Sequence, residues 1–170
     1  MLKKIQRTYD SVMTTVAAVL LIAMFFVLIA NVVLRLIPAV GGFKWYMEFS
    51  QYANVWAMLI GAAGIAAAGT NLRVEAVDGI FAKIPAGGKI AKLIVDVALL
   101  VFYGFMVKSG SIIAVKAVQK VSTMPQFKMG QVYRIFQIAG ILCIIGTVLN
   151  ILVTLTSSGK EVESTEGSVV

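Results

Sequence analysis

The stretch VMTTVAAVLLIAMFFVLIANVVLRLI, residues 12–37, decides the class of fold. Between Val16 and Ala30 it carries no charge, and a helix needs about 20 consecutive apolar residues to cross a bilayer. The basic start before it, Lys3, Lys4 and Arg7, resembles that of a secretory signal. The apolar region of such a signal is only about 7–15 residues long, and no convincing small-residue cleavage site follows. The stretch therefore reads as a retained first transmembrane helix, broken after it by Pro38, Gly41 and Gly42.

The rest of the chain agrees. Its 170 residues are 59% apolar and 14% charged, where soluble domains have about 45–50% and about 25%. Mean hydropathy is +0.92. A soluble fold would have to expose much of that apolar surface, whereas lipid removes the difficulty. The net charge of +7 comes from lysines and arginines at the ends of apolar runs. That distribution points to topology control and contact with anionic membrane lipids, not to nucleic acid. Cys143 is the single cysteine, so no intrachain disulfide forms. With no histidine anywhere, a bis-histidine haem, a histidine-based metal site and a catalytic triad are excluded, and no cofactor is expected.

Three further spans follow. The second runs from about residue 45 to 69 and opens on Trp45 and Tyr46, which suit the headgroup region. Its second half, Gly61 to Gly69, is nearly all small residues, which let helices in lipid approach closely. Over residues 71–84, Val74, Val77, Ile80, Phe81 and Ile84 share one helical face. That segment is too short to span and is expected to lie in the interface as an amphipathic helix. The third helix is expected over about 89–121. Its length exceeds a hydrocarbon core of about 30 Å, so it must tilt, break near Gly104 or Gly110, or project. The fourth span covers about 132–155, and a Ser-, Gly- and Glu-rich tail, 156–170, is expected to be disordered. The whole is thus an all-α integral membrane protein forming one domain over 1–155, with four transmembrane helices, a short interfacial helix, and a long, tilted third helix.

Ionisable residues near mid-membrane advertise transport chemistry. Here Arg35, Glu48, Asp96 and Arg134 all fall close to span ends. Lys92, one turn before Asp96, offers it an interfacial ion pair. Glu48 and Arg35 flank one loop, where they can pair with each other or with a neighbouring chain. Asn54 and Trp56 are the most central polar-capable groups of the second span, and one amide reads as a helix-to-helix hydrogen bond. No Gly-rich phosphate loop, nucleophile elbow or metal cluster is present, so an enzyme is not expected. The basic residues on the two sides nearly balance and leave orientation open.

The stretch Asn31-Val32-Val33-Leu34-Arg35 is followed by Trp45-Tyr46-Met47-Glu48, Trp56, Gly61-Ala62-Ala63 and Asn71-Leu72-Arg73-Val74-Glu75. In this order they resemble the small membrane subunit of the TRAP (tripartite ATP-independent periplasmic) transporters. The similarity extends over the whole four-helix layout and includes Met124-Pro125. Asn71 stands where the family usually has histidine, and Glu75 where it has aspartate. A capping role survives both changes, but one needing an imidazole does not.

The resemblance implies a non-catalytic scaffold for a large multi-span membrane subunit. That subunit imports an organic acid, a dicarboxylate or a sialic acid, with sodium, after a periplasmic substrate-binding protein has captured it. It also implies the bacterial inner membrane with both termini cytoplasmic. Arg35, Trp45, Glu48, Trp56, Gly61, Gly64, Asn71, Arg73 and Glu75 become the candidate interface and structural residues, with the second helix as the expected contact. Lys44 and Lys128 become candidates for docking the binding protein. The alternative is a self-contained four-helix transporter acting as a homodimer.

Overall fold

The computed structural model describes residues 1–37, 41–69 and 87–156. Among these residues are four helices: α1 (Leu2–Arg35), α2 (Tyr46–Ala68), α3 (Gly87–Lys116) and α4 (Met129–Thr156). The expected interfacial helix over 71–84 and the tail beyond Thr156 lie outside the described residues.

The helices alternate in direction. Gly61 of α2 faces Ala17 of α1, and Gln6 near the start of α1 donates to the carbonyl of Ala67 near the end of α2. Gly110 of α3 meets the backbone of α4 at Phe136 and Gln137, while Gly140 meets Tyr103, Met106 and Val107. Both pairs are therefore antiparallel. Gly146 of α4 meets Ala63 and Ala67 of α2, while Tyr52 early in α2 reaches Met129 at the start of α4, so these two helices run parallel. The N-terminus of α1 and the C-terminus of α4 thus share one end of the molecule.

Among the described residues, α2 packs on α1 and α4, α4 also touches α1, and α3 packs on α4 alone. The centre is built from small side chains. The buried residues of α2 are Ser50, Ala53, Ala57, Ala63, Gly64, Ala66 and Ala67. They allow the backbone approach that holds helices together where lipid, as apolar as leucine, supplies no hydrophobic drive. At Gly146 an added methyl group would stand 2.8 Å from the Ala63 carbonyl oxygen and 3.0 Å from the Ala67 nitrogen, so only glycine fits that crossing. Large apolar residues point outward instead, among them Ile22, Phe26 and Ile29 of α1 and Phe102 and Phe105 of α3.

Two boundaries differ from the sequence expectation. The helix α1 begins at Leu2, ten residues before Val12, and its 34 residues span about 50 Å. Its polar first turns are held by the Gln6 bond and by the Tyr9 hydroxyl, which donates to the Leu142 carbonyl at 2.8 Å. The helix α3 ends at Lys116, short of Val121, and runs unbroken through Gly104 and Gly110. Residues beyond it turn into a folded connection in which the Val121 amide donates to Phe127, at 2.9 Å, and the Met129 amide to Gln119, at 2.8 Å. Backbone bonds to the returning chain replace the helical ones.

Among the described residues, three helices are apolar enough, by length and composition, to cross a membrane: α1, the Lys92–Lys116 part of α3, and α4. The exception is α2, with its alanines and glycines.

Candidate functional site

Polar side chains buried in the fold meet at two places, one at each end. At the end shared by the termini, α2 closes on Gly69, whose φ of 68° is left-handed and whose amide donates to the Ile65 carbonyl. This is a glycine C-cap. Asn150 packs directly on it and leaves no room for a Cβ. The Asn150 amide donates to both oxygens of Asp96, at 2.9 and 3.2 Å. Asp96 is 3% and Asn150 1% exposed. Lys92 acts electrostatically on Asp96, as its spacing implied. The carboxylate is nonetheless buried and bound by α4, so the expected interfacial pair is only part of its environment. Thr147, one turn before Asn150, donates to the Cys143 carbonyl at 2.9 Å.

At the other end, Asn31 is 2% exposed, and its side-chain oxygen accepts from the Phe43 amide at 2.7 Å. It ties the α1–α2 connection to α1. Phe43 stacks on Trp45 at 5.0 Å, and Trp45 meets Phe49 edge-on at 5.7 Å. Glu48 does not pair with Arg35. It accepts from the Thr123 amide, at 3.0 Å, and from the Thr123 hydroxyl, which pins the α3–α4 connection to the first turn of α2. The Tyr52 hydroxyl reaches the Met129 sulfur at 3.5 Å.

The remaining candidates separate. Gly61 and Gly64 face α1, Gly61 against Ala17 and Gly64 against Asp10, Met13 and Thr14, so the small-residue face is used within the chain itself. Trp56 lines a cavity of about 410 Å³ between α2 and α4, together with Tyr52, Asn54, Tyr133 and Phe136. Its indole nitrogen is buried with no acceptor. Asn54 is exposed and lines that cavity rather than bonding another helix. Arg35, Lys44 and Lys128 are exposed, and Lys128 sits in an antiparallel bridge with Lys120. Asn71, Arg73 and Glu75 lie outside the described residues. Among the described residues no cluster of histidine, cysteine, aspartate or glutamate could hold a metal.

A multi-pass, all-helical protein whose buried Asp96, Asn150 and Asn31 are hydrogen-bonded within the chain is a membrane component shaped by its packing. The chain matches the family model of tripartite ATP-independent periplasmic transporters, DctQ component, over residues 24–157, most of its length. It belongs to that family and is a small membrane subunit of such a transporter in the bacterial inner membrane, where it associates with the large membrane subunit and a binding protein. No curated protein and no solved structure matches it.

Proposed function

We propose that the chain is the non-catalytic scaffold of a sodium-coupled importer of an organic acid, a dicarboxylate or a sialic-acid-like anion. In this reading residues 1–155 form one membrane domain with four spans, α2 included, and both termini lie in the cytoplasm. The observation that carries it is the pairing of inner polar groups. Asp96 is bound by Asn150, and Asn31 by the backbone of its own connection, which suits holding better than carrying.

The fourth span has a physical rationale. As the helix packed on both α1 and α4, α2 presents less surface to lipid and needs less apolar character. Gly61 and Gly64 then act by seating α1, while Arg35, Trp45, Trp56 and the segment holding Asn71, Arg73 and Glu75 remain candidates for direct contact. The end away from the termini carries exposed Arg35, Lys44, Lys116, Lys120, Lys128 and Arg134, and Glu48 there is already engaged by Thr123. Such a cationic face steers an acidic partner, which supports docking of the binding protein through Lys44 and Lys128.

Reconstitution tests the scaffold. Proteoliposomes holding this chain alone show no uptake of the organic acid, and adding the large subunit and the binding protein restores it. Sodium-driven uptake by this chain alone would refute the reading and favour a homodimeric transporter.

A further inference from the structure

Among the described residues, α3 packs on α4 alone, and no other described element covers its far side. Val97, Val101, Gly104, Phe105, Lys108 and Ile112 are exposed along that side. Space beyond Gly104 is open, with no atom within 4 Å of an added Cβ. Lys108 stands on the same stripe one helical turn later; its backbone carbonyl accepts from the Ser111 hydroxyl, while its ammonium has no partner among the described residues.

Its depth makes this unusual. Gly110 against Phe136 and Gln137, and Gly140 against Met106 and Val107, set the register of α3 on α4 and bring Lys108 level with Ile138. The parallel register of α4 on α2, set by Gly146 against Ala63 and Ala67, carries that level to Met58. Ile138 and Met58 are exposed apolar residues, 51% and 68% accessible, at a depth suited to lipid. Lys108 also precedes the helix end at Lys116 by eight residues, about 12 Å along the axis. A lysine stem of about 6 Å when extended spans about half of that distance. Ionisable side chains at such depths almost always face protein or water and are paired.

We propose that the Gly104–Lys108 face of α3 is a contact surface for the large membrane subunit, whose facing helix places a carboxylate against Lys108. This rests on the scaffold reading above and deepens it. Gly104 provides the notch that lets the partner backbone approach, and Phe102 and Phe105 border it with apolar surface. Lys108 supplies the charge that selects and registers the partner.

The test co-expresses the full chain with its large subunit and measures recovery of that subunit on a tag carried by this chain. Lys108→Glu lowers recovery by about tenfold or more, because a like charge faces the partner carboxylate, and Gly104→Leu lowers it by filling the notch. Lys108→Arg retains recovery within about twofold, since the charge is kept. Membrane level and thermal midpoint of each purified variant report folding. In a Cys143→Ser background, Gly104→Cys carrying a photo-crosslinker labels the large subunit, and this readout decides should Lys108→Glu fail to insert. Undiminished recovery for both Lys108→Glu and Gly104→Leu overturns the proposal. Crosslinking only to lipid, or to a second copy of this chain, does the same. Absence of recovery with the unmodified chain refutes instead the scaffold reading.

Discussion

Replacing Asn150 with alanine isolates the contact that joins α3 to α4. The side chain donates to both Asp96 oxygens, and its loss takes both bonds from a carboxylate that is 3% exposed, leaving Lys92 to act on it. Two magnitudes compete. Interhelical hydrogen bonds in bilayers average about 0.6 kcal/mol, with about 1.7 as the upper end, whereas hydrogen bonds to charged groups contribute about 1.5–3 kcal/mol. The acceptor here is a buried carboxylate with both oxygens engaged, so the larger range applies, and Asn150→Ala is expected to cost about 2 kcal/mol. Part of any such loss is the cavity left behind. A double-mutant cycle removes that part: with Asp96→Ala already present there is no carboxylate to strand, and the cost of Asn150→Ala shrinks. The coupling should reach about 1 kcal/mol or more, within the range of contacting residues. Reversible unfolding in mixed micelles with increasing dodecyl sulfate, followed by circular dichroism, measures each corner. Additivity of the two substitutions within about 0.3 kcal/mol would refute the reasoning.

Other substitutions probe separate contacts. Gly146→Ala forces α2 and α4 apart and should cost about 1–3 kcal/mol in the same unfolding measurement, while Gly104→Ala, with open space around it, should be neutral or stabilising by up to about 1 kcal/mol. Asn31→Ala removes the acceptor of the part-buried Phe43 amide bond and should destabilise by about 0.5–1.5 kcal/mol. Glu48→Ala releases the α3–α4 connection, so hydrogen exchange at Val121 to Met129 should quicken while exchange in α4 is unchanged. Charge reversal at Lys44 and Lys128 together should weaken docking of the binding protein, most visibly at low salt, as read by transport rate against binding-protein concentration.

The helices were legible because each contains an apolar run bounded by glycine or proline, and the small-residue half of α2 announced close packing. What stayed hidden depended on partners far along the chain. Asp96 has an evident neighbour in Lys92, whereas Asn150 lies 54 residues away in a run that looks apolar, so only the fold brings them together. The early start of α1 was masked by its polar turns, whose Gln6 and Tyr9 are held by backbone of α2 and α4. The third helix is expected to continue to about Val121. Val121 instead turns inward to 1% exposure, within the connection that Glu48 secures. Asn31 was visible as a motif residue, and its purpose became clear only once Phe43 was placed beside it.

The position of α2, packed on both α1 and α4, explains how a helix without a strongly apolar run is accommodated. A composition criterion treats each helix as though it stood alone in lipid, yet the burden of apolar character falls on whichever surface meets lipid. Alanines and glycines shield α2 by bringing α1 and α4 close, and the large residues are thereby displaced to the outer faces of α1 and α3. Those faces resemble lipid too closely to choose a partner by hydrophobicity, because no net transfer out of water is gained when two such surfaces meet. Selection must then come from the few places where the outer surface departs from lipid. On α3 the departures are a notch at Gly104 and a charge at Lys108, one turn apart, which is the spacing a single facing helix can read.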